Sequence, residues 1–221
     1  NADLLLSYSK KIKDHSFDAM LGYTAQEENY DQLYGTGSKF PNNEIRIFQN
    51  AESISMQSEK YSWSLLAYFA RLNYSFQDKY LLSASFRREG SSRFGVNNKW
   101  GNFPSVSAGW RISEEPFMPD LSWLSNLKLR ASYGITGNNA IGNYPSLSGM
   151  NSANYILGGS YAPGVVIGSF ANSQLGWEKS DALDVGLDLS LFNNQFVVTA
   201  EFYNKITNSM LLSKEIPIIS G

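Results

Sequence analysis

Leu66-Ala67-Tyr68-Phe69-Ala70-Arg71-Leu72-Asn73-Tyr74-Ser75-Phe76 alternates without a break. Leu66, Tyr68, Ala70, Leu72, Tyr74 and Phe76 share one parity; Ala67, Phe69, Arg71, Asn73 and Ser75 share the other. A period of two puts these sets on opposite faces of a β-strand. The run is also longer than the five or six residues of an ordinary globular strand. After Gln77-Asp78-Lys79 the pattern resumes, with Tyr80, Leu82, Ala84 and Phe86 opposing Ser83, Ser85, Arg87 and Glu89. It returns in Val106–Ile112, Leu127–Ile135, Leu183–Leu191 and Phe196–Lys205. A weaker pair precedes them, at Leu4–Tyr8 and Phe17–Tyr23. These segments predict eight strands.

The connections alternate in length. Tight links are expected at Lys10–His15, Gln77–Lys79 and Asn193–Asn194, and long polar ones at 26–60 and 137–176. Ser91–Asn102 and Glu114–Asn126 are of similar, intermediate size. Short turns at one end and long loops at the other describe an outer-membrane β-barrel. Aromatics bracket two of the turns (Tyr74, Phe76 and Tyr80; Phe192 and Phe196), where an interfacial girdle would sit. The same alternation also fits a soluble β-sandwich with its apolar face inward.

Composition narrows the function. Charged residues make up 17% and aromatics 14%, with 13 Tyr and 13 Phe, against about 25% charged in an average soluble domain. A net charge of −2 argues against a nucleic-acid partner. With no Cys and one His, thiolate chemistry and His-rich metal sites are excluded. No nucleophile motif, phosphate loop or zinc motif is present, so neither an enzyme nor a cofactor is expected. His15 reads as a solvated turn residue beside Lys13 and Asp14. Asp181, Asp184 and Asp188 read as wall charges in preference to a metal set. The chain opens Asn1-Ala2-Asp3, which reads as the start of an internal piece or of a processed chain.

On the polar parity lie Arg71, Arg87, Glu89, Arg111, Lys128, Arg130, Asp184, Asp188, Glu201 and Lys205. In a barrel these line the lumen, as a channel surface or as a ladder of ion pairs between strands; mixed sign favours the ladder. Tyr144, Tyr155 and Tyr161 in the long loop are candidates to stack on substrate or to anchor the loop to the rim.

The centre of the chain carries a more specific pattern. Arg87-Arg-Glu-Gly-Ser-Ser-Arg-Phe-Gly95 is followed by Trp100-Gly-Asn-Phe-Pro-Ser-Val-Ser-Ala-Gly-Trp-Arg-Ile-Ser-Glu-Glu-Pro-Phe117. Leu127-Lys-Leu-Arg-Ala-Ser-Tyr-Gly-Ile-Thr-Gly-Asn138 and Leu175-Gly-Trp-Glu-Lys179 complete it. In this order the motifs resemble the barrel of SusC/RagA-type TonB-linked outer-membrane proteins of Bacteroidetes. The resemblance implies an all-β, antiparallel up-and-down barrel of 22 strands in outer-membrane lipid. It also implies a plug energised by TonB, a SusD-like lipoprotein partner, and import of glycans or peptides. No plug or TonB box is evident, and the chain ends Ile219-Ser220-Gly221 without the aromatic-ended strand of a barrel terminus. Residues 1–221 are therefore expected to form part of one barrel domain, an open curved sheet in isolation. A free-standing eight-stranded barrel and a soluble carbohydrate-binding sandwich are the alternatives. Locally, Gly90 is expected to free the chain into a loop, and Glu114-Glu115-Pro116 to open a short helix.

Overall fold

The computed structural model describes residues 1–42, 44, 47–119 and 121–213; the expectation about Ile219–Gly221 falls outside them. Among the described residues ten strands form: β1 (Ala2–Ile12), β2 (His15–Ser38), β3 (Ser53–Phe76), β4 (Tyr80–Ser91), β5 (Trp100–Arg111), β6 (Leu124–Asn138), β7 (Gly149–Leu157), β8 (Ser160–Ser169), β9 (Glu178–Leu191) and β10 (Phe196–Asn208). Eight make one antiparallel sheet in the order β1-β2-β3-β4-β5-β6-β9-β10, while β7 and β8 pair only with each other. The sheet is an open meander: β1 and β10 are its edges and do not pair. Among the described residues no helix is long and apolar enough to cross a membrane, which says nothing of strands.

Register confirms the expected parities. Leu21, Ala70, Phe86 and Pro104 stand in one row across four strands, and Met20, Arg71, Ser85 and Ser105 in the next. The apolar face therefore runs continuously across the sheet, and it stays bare: Leu4, Leu21, Leu72, Leu82, Val106 and Val198 are each about half exposed or more. Among the described residues only Ala67, Phe94, Phe103 and Trp177 are buried hydrophobics. The accessible surface is 16163 Å², whereas a folded monomer of 24.7 kDa should show about 10,000 Å². A sandwich would have closed over this face. The sheet has no core of its own size, so the sandwich alternative fails on area.

The turn end is tight. Gln77 and Asp78 both adopt positive φ, as do Phe192, Asn193 and Asn194, the backbone twist that matches paired antiparallel strands. Antiparallel order assigns the two ambiguous connections: residues 92–99 lie at the loop end and 112–123 at the turn end.

Five expectations are corrected. Residues 26–60 are mostly ribbon, because β2 and β3 stay paired through Ser38↔Ser53 and only 39–52 connect them. The stretch 137–176 contains the β7–β8 hairpin. His15 begins β2 opposite Ile12 and Phe76, its Nδ1 2.9 Å from the Tyr74 hydroxyl and its ring 4.8 Å from Phe76. The short 3₁₀ turn covers Ile112–Glu114 and ends before Pro116. Gly90 packs beneath Trp100, where a Cβ would lie 2.9 Å from the indole, so it serves close approach and not a turn.

Candidate functional site

All ten charged candidates fall on the polar face, yet they form separate groups. The largest centres on Arg130 of β6. Its Nη1 lies 2.9 Å from Asp184 Oδ1, its Nη2 2.9 Å from Glu201 Oε1, and its Nε 3.4 Å from Asp188 Oδ2. Arg130 stands opposite Gly186 on β9, and Gly186 stands opposite Glu201 on β10. A Cβ at Gly186 would sit 2.5 Å from the guanidinium carbon. Glycine there lets the side chain lie flat across β9, with Asp184 and Asp188 two residues to either side and Glu201 beyond. One cation thus ties three strands.

The other candidates are apart from it. Arg87 pairs with Glu89 and lies 5.6 Å over the Phe69 ring. Arg111 reaches Glu114 at 3.0 Å and the Asp78 carbonyl at 3.3 Å, at the turn end. Lys128 faces Arg111 and Asp188 in register, and Arg71 faces Met20 and Ser85. Lys205 stands opposite Ala182. Among the described residues Arg71, Lys128 and Lys205 make no ion pair on this face. Between the groups lies a shallow concavity of about 400 Å³, floored by Asn73, Ser83, Ser107 and Ser132 and edged by Lys128, Arg130 and Asp184. Small hydroxylated side chains there leave room for something to lie against the sheet. Asp181, by contrast, is on the apolar parity, held by the Tyr133 hydroxyl at 3.1 Å and the Asn208 amide at 2.8 Å.

A compact aromatic centre closes the loop end of this face. Phe94, Phe103 and Trp177 pack with centroid separations of 4.9 and 5.1 Å, backed by Ile135, Ile141 and Leu175. Trp177 Nε1 donates to the Lys99 carbonyl at 2.9 Å, and the Gly95 N–H to the Leu175 carbonyl at 2.9 Å. A Cβ at Gly101 or Gly137 would come within 2.4 or 2.2 Å of the Phe103 ring. The recurrent glycines and aromatics of the central motifs are therefore one packing unit that clamps residues 92–99 to 172–177.

The three tyrosines are not brought together. Tyr144 docks on β3, its hydroxyl 3.4 Å from the Ser62 hydroxyl and accepting from the Ser62 N–H at 2.8 Å; the side-chain bond first, and the backbone bond with it, pull its pKa below the usual phenol value. Tyr155 and Tyr161 sit on opposite faces of the β7–β8 hairpin, opposite Ala162 and Ile156. At the turn end, Glu115 accepts from the Tyr80 hydroxyl at 2.5 Å and from Trp110 Nε1 at 2.9 Å. Both bonds hold its carboxyl below the ordinary carboxylate range. Sequence reasoning missed Glu115, Gly186 and the Phe103 clamp, because each depends on a partner from another strand.

Comparison with known proteins gives a consistent picture. A family model described as TonB dependent receptor-like, beta-barrel matches residues 3–220. The chain is 38% identical to TonB-dependent receptor P39 of Formosa agariphila over 97% of its own length and 21% of that protein's. It is 34% identical to TonB-dependent receptor SusC of Bacteroides thetaiotaomicron, over 98% of this chain and 22% of the other. Among solved structures it is similar to a chain of the RagAB peptide transporter, with a TM-score of 0.89 and 30% identity over 99% of this chain and 24% of that one. It spans about a fifth to a quarter of these relatives.

Proposed function

Since this chain belongs to the TonB-dependent receptor-like β-barrel family, whose members are receptors and transporters and not enzymes, we propose that its sheet is a wall section of an outer-membrane nutrient importer. The observation that carries the reading is the open eight-strand meander, with a continuous bare apolar face on one side and charges on the other. Spanning strands of about ten residues need such an outward apolar band in lipid, and a closed wall of more strands completes the ladder. On this reading Arg71, Arg87, Glu89, Arg111, Lys128, Arg130, Asp184, Asp188, Glu201 and Lys205 line the lumen. The concavity beside Arg130 then receives a plug supplied by the rest of the protein, through which TonB acts.

The loop end faces outward, where a SusD-like lipoprotein covers the mouth and glycans or peptides enter. Similarity to SusC and to the RagAB peptide transporter supports import by a two-component system. The test is genetic. Deleting the gene should abolish cellular uptake of one oligosaccharide or peptide class, and deleting TonB should do the same. Uptake that persists without TonB contradicts the proposal.

A further inference from the structure

Ala2, Ala25, Leu66, Gly90 and Trp100 stand in one row of register partners on the apolar face, near the loop end. From the turn end up to this row, the apolar face of β1–β5 carries two charged side chains among the described residues: Lys10 near the turn end and Arg88 near the loop end. Eight residues separate Arg88 from Tyr80; at about 3.3 Å per residue and a tilt of about 40°, that is roughly 20 Å up a band about 25 Å tall. Arg88 thus reaches the headgroup level of the loop-end leaflet. Its guanidinium lies 5.3 Å over the Trp100 ring. Tyr68, in register with Arg88, has its ring 6.3 Å from that indole and 5.4 Å from Tyr23. Arg88 is exposed and, among the described residues, makes no ion pair. In the row above it, the small residues Ala2, Ala25 and Gly90 leave a groove of about 570 Å³ walled by Leu66 and Trp100. Lys99 stands at its rim beside Trp100, and Glu27 on the β2 side.

We propose that Arg88 and this groove hold the phosphate of a membrane lipid whose chains lie on the apolar face below. The inference rests on the reading of the sheet as a wall section of an outer-membrane importer. Stacking occupies one face of the guanidinium and leaves the N–H fork at its edge, which matches two phosphate oxygens. An unpaired arginine beside an apolar surface calls for a counter-charge, and at this height a bilayer supplies it from its headgroups. Lys99 adds a second cation at the rim. Glu27, the carboxylate there, is two strands and four residues from Arg88, about 16 Å along the sheet. That is twice the Debye length of about 8 Å, so it leaves the attraction of Arg88 for an anion standing.

The test is native mass spectrometry of the purified full-length protein in non-ionic detergent, titrated with phosphatidic acid and with diacylglycerol of the same chains. Phosphatidic acid should bind at least about tenfold more tightly than diacylglycerol, and Arg88→Gln should remove about tenfold of that affinity. Arg88→Lys, which keeps the charge and loses the fork, should fall between wild type and Arg88→Gln. Lys10→Gln, a cation removed from the same face at the other end, should stay within about twofold of wild type. Inorganic phosphate should not displace the bound lipid. All variants should retain the heat-modifiable gel mobility of a folded barrel. Equal binding of the two lipids would mean that the chains alone are held. An equal loss in Lys10→Gln and Arg88→Gln would mean general surface charge, and displacement by inorganic phosphate a free-anion site. Each of these three results would overturn the assignment. Failure of the importer reading shows elsewhere, as uptake that persists without TonB.

Discussion

Leu187→Arg puts a charge on the face assigned to lipid. Leu187 stands in register with Leu129 and Ala200, with Val185 and Leu189 beside it on the same face. Four residues separate it from the turn end at Leu191; at about 3.3 Å per residue and a 40° tilt it lies roughly 10 Å into a band about 25 Å tall. That is close to the midplane, where an arginine costs about 2–4 kcal/mol, a factor of roughly 30 to 1,000 in the folding equilibrium. Asp188, the next residue, points the other way, and its Oδ1 accepts from the Thr199 hydroxyl at 3.2 Å. An asparagine retains that acceptor and gives up only the 3.4 Å ion pair with Arg130, which keeps Asp184 and Glu201 at 2.9 Å, so Asp188→Asn should move stability far less. The assay is urea unfolding of the full-length protein in phosphatidylcholine vesicles, followed by tryptophan fluorescence. A variant with Leu187→Arg that unfolds like wild type, beside an Asp188→Asn that fails to fold, would refute the facing assignment.

Trp177→Ala should cost about 3–5 kcal/mol and expose residues 92–99 and 172–177 to limited proteolysis, because the ring is 6% exposed at the centre of the rim clamp. Gly186→Ala should lower the urea midpoint by displacing Arg130 from Glu201; a crystal structure retaining both contacts would contradict this. Glu115 supplies the pH dependence. Its folded pKa is depressed, so its contribution is present above the unfolded value of about 4.3 and is lost as pH falls through the folded value. Wild type should therefore exceed Glu115→Gln in urea midpoint at pH 7, with the gap closing at acidic pH.

What was legible in the sequence was legible through the wall's asymmetry. Between Leu66 and Phe76 one face is apolar and the other is not, so the period of two is written in residue type. Past Gln26 and Leu65 the ribbon has no such division between its faces. Glu27, Glu28, Asp31, Glu59 and Lys60 fall on both faces, and with the pattern gone the strands read as loop. The β7–β8 hairpin was hidden for a related reason: Gly, Ser and Asn dominate its surroundings. His15 was misplaced because its local neighbours are polar, while the rings around it come from Phe17 and from β3. The ten wall charges were assigned to one face by parity, but their grouping around Arg130 turns on Gly186, a residue with no signal of its own until three strands are aligned.

The central claim, that these eight strands are an open section of a larger wall, reduces to one distance. Ser7, Met20, Arg71, Ser85, Ser105, Gly134, Ala182 and Lys205 form a single row of register partners from β1 to β10. Seven interstrand steps of about 4.8 Å make an arc of roughly 34 Å. Spin labels at Ser7 and Lys205 of the full-length protein in detergent, measured by double electron–electron resonance, should lie about 25–35 Å apart along the chord of that arc. Closure of β1 onto β10 in an eight-stranded barrel, staggered by its shear, would instead bring some label position along Ala2–Ile12 to neighbouring-strand spacing, about 5 Å, from β10 when the first label is moved along that strand, and that result would contradict the account.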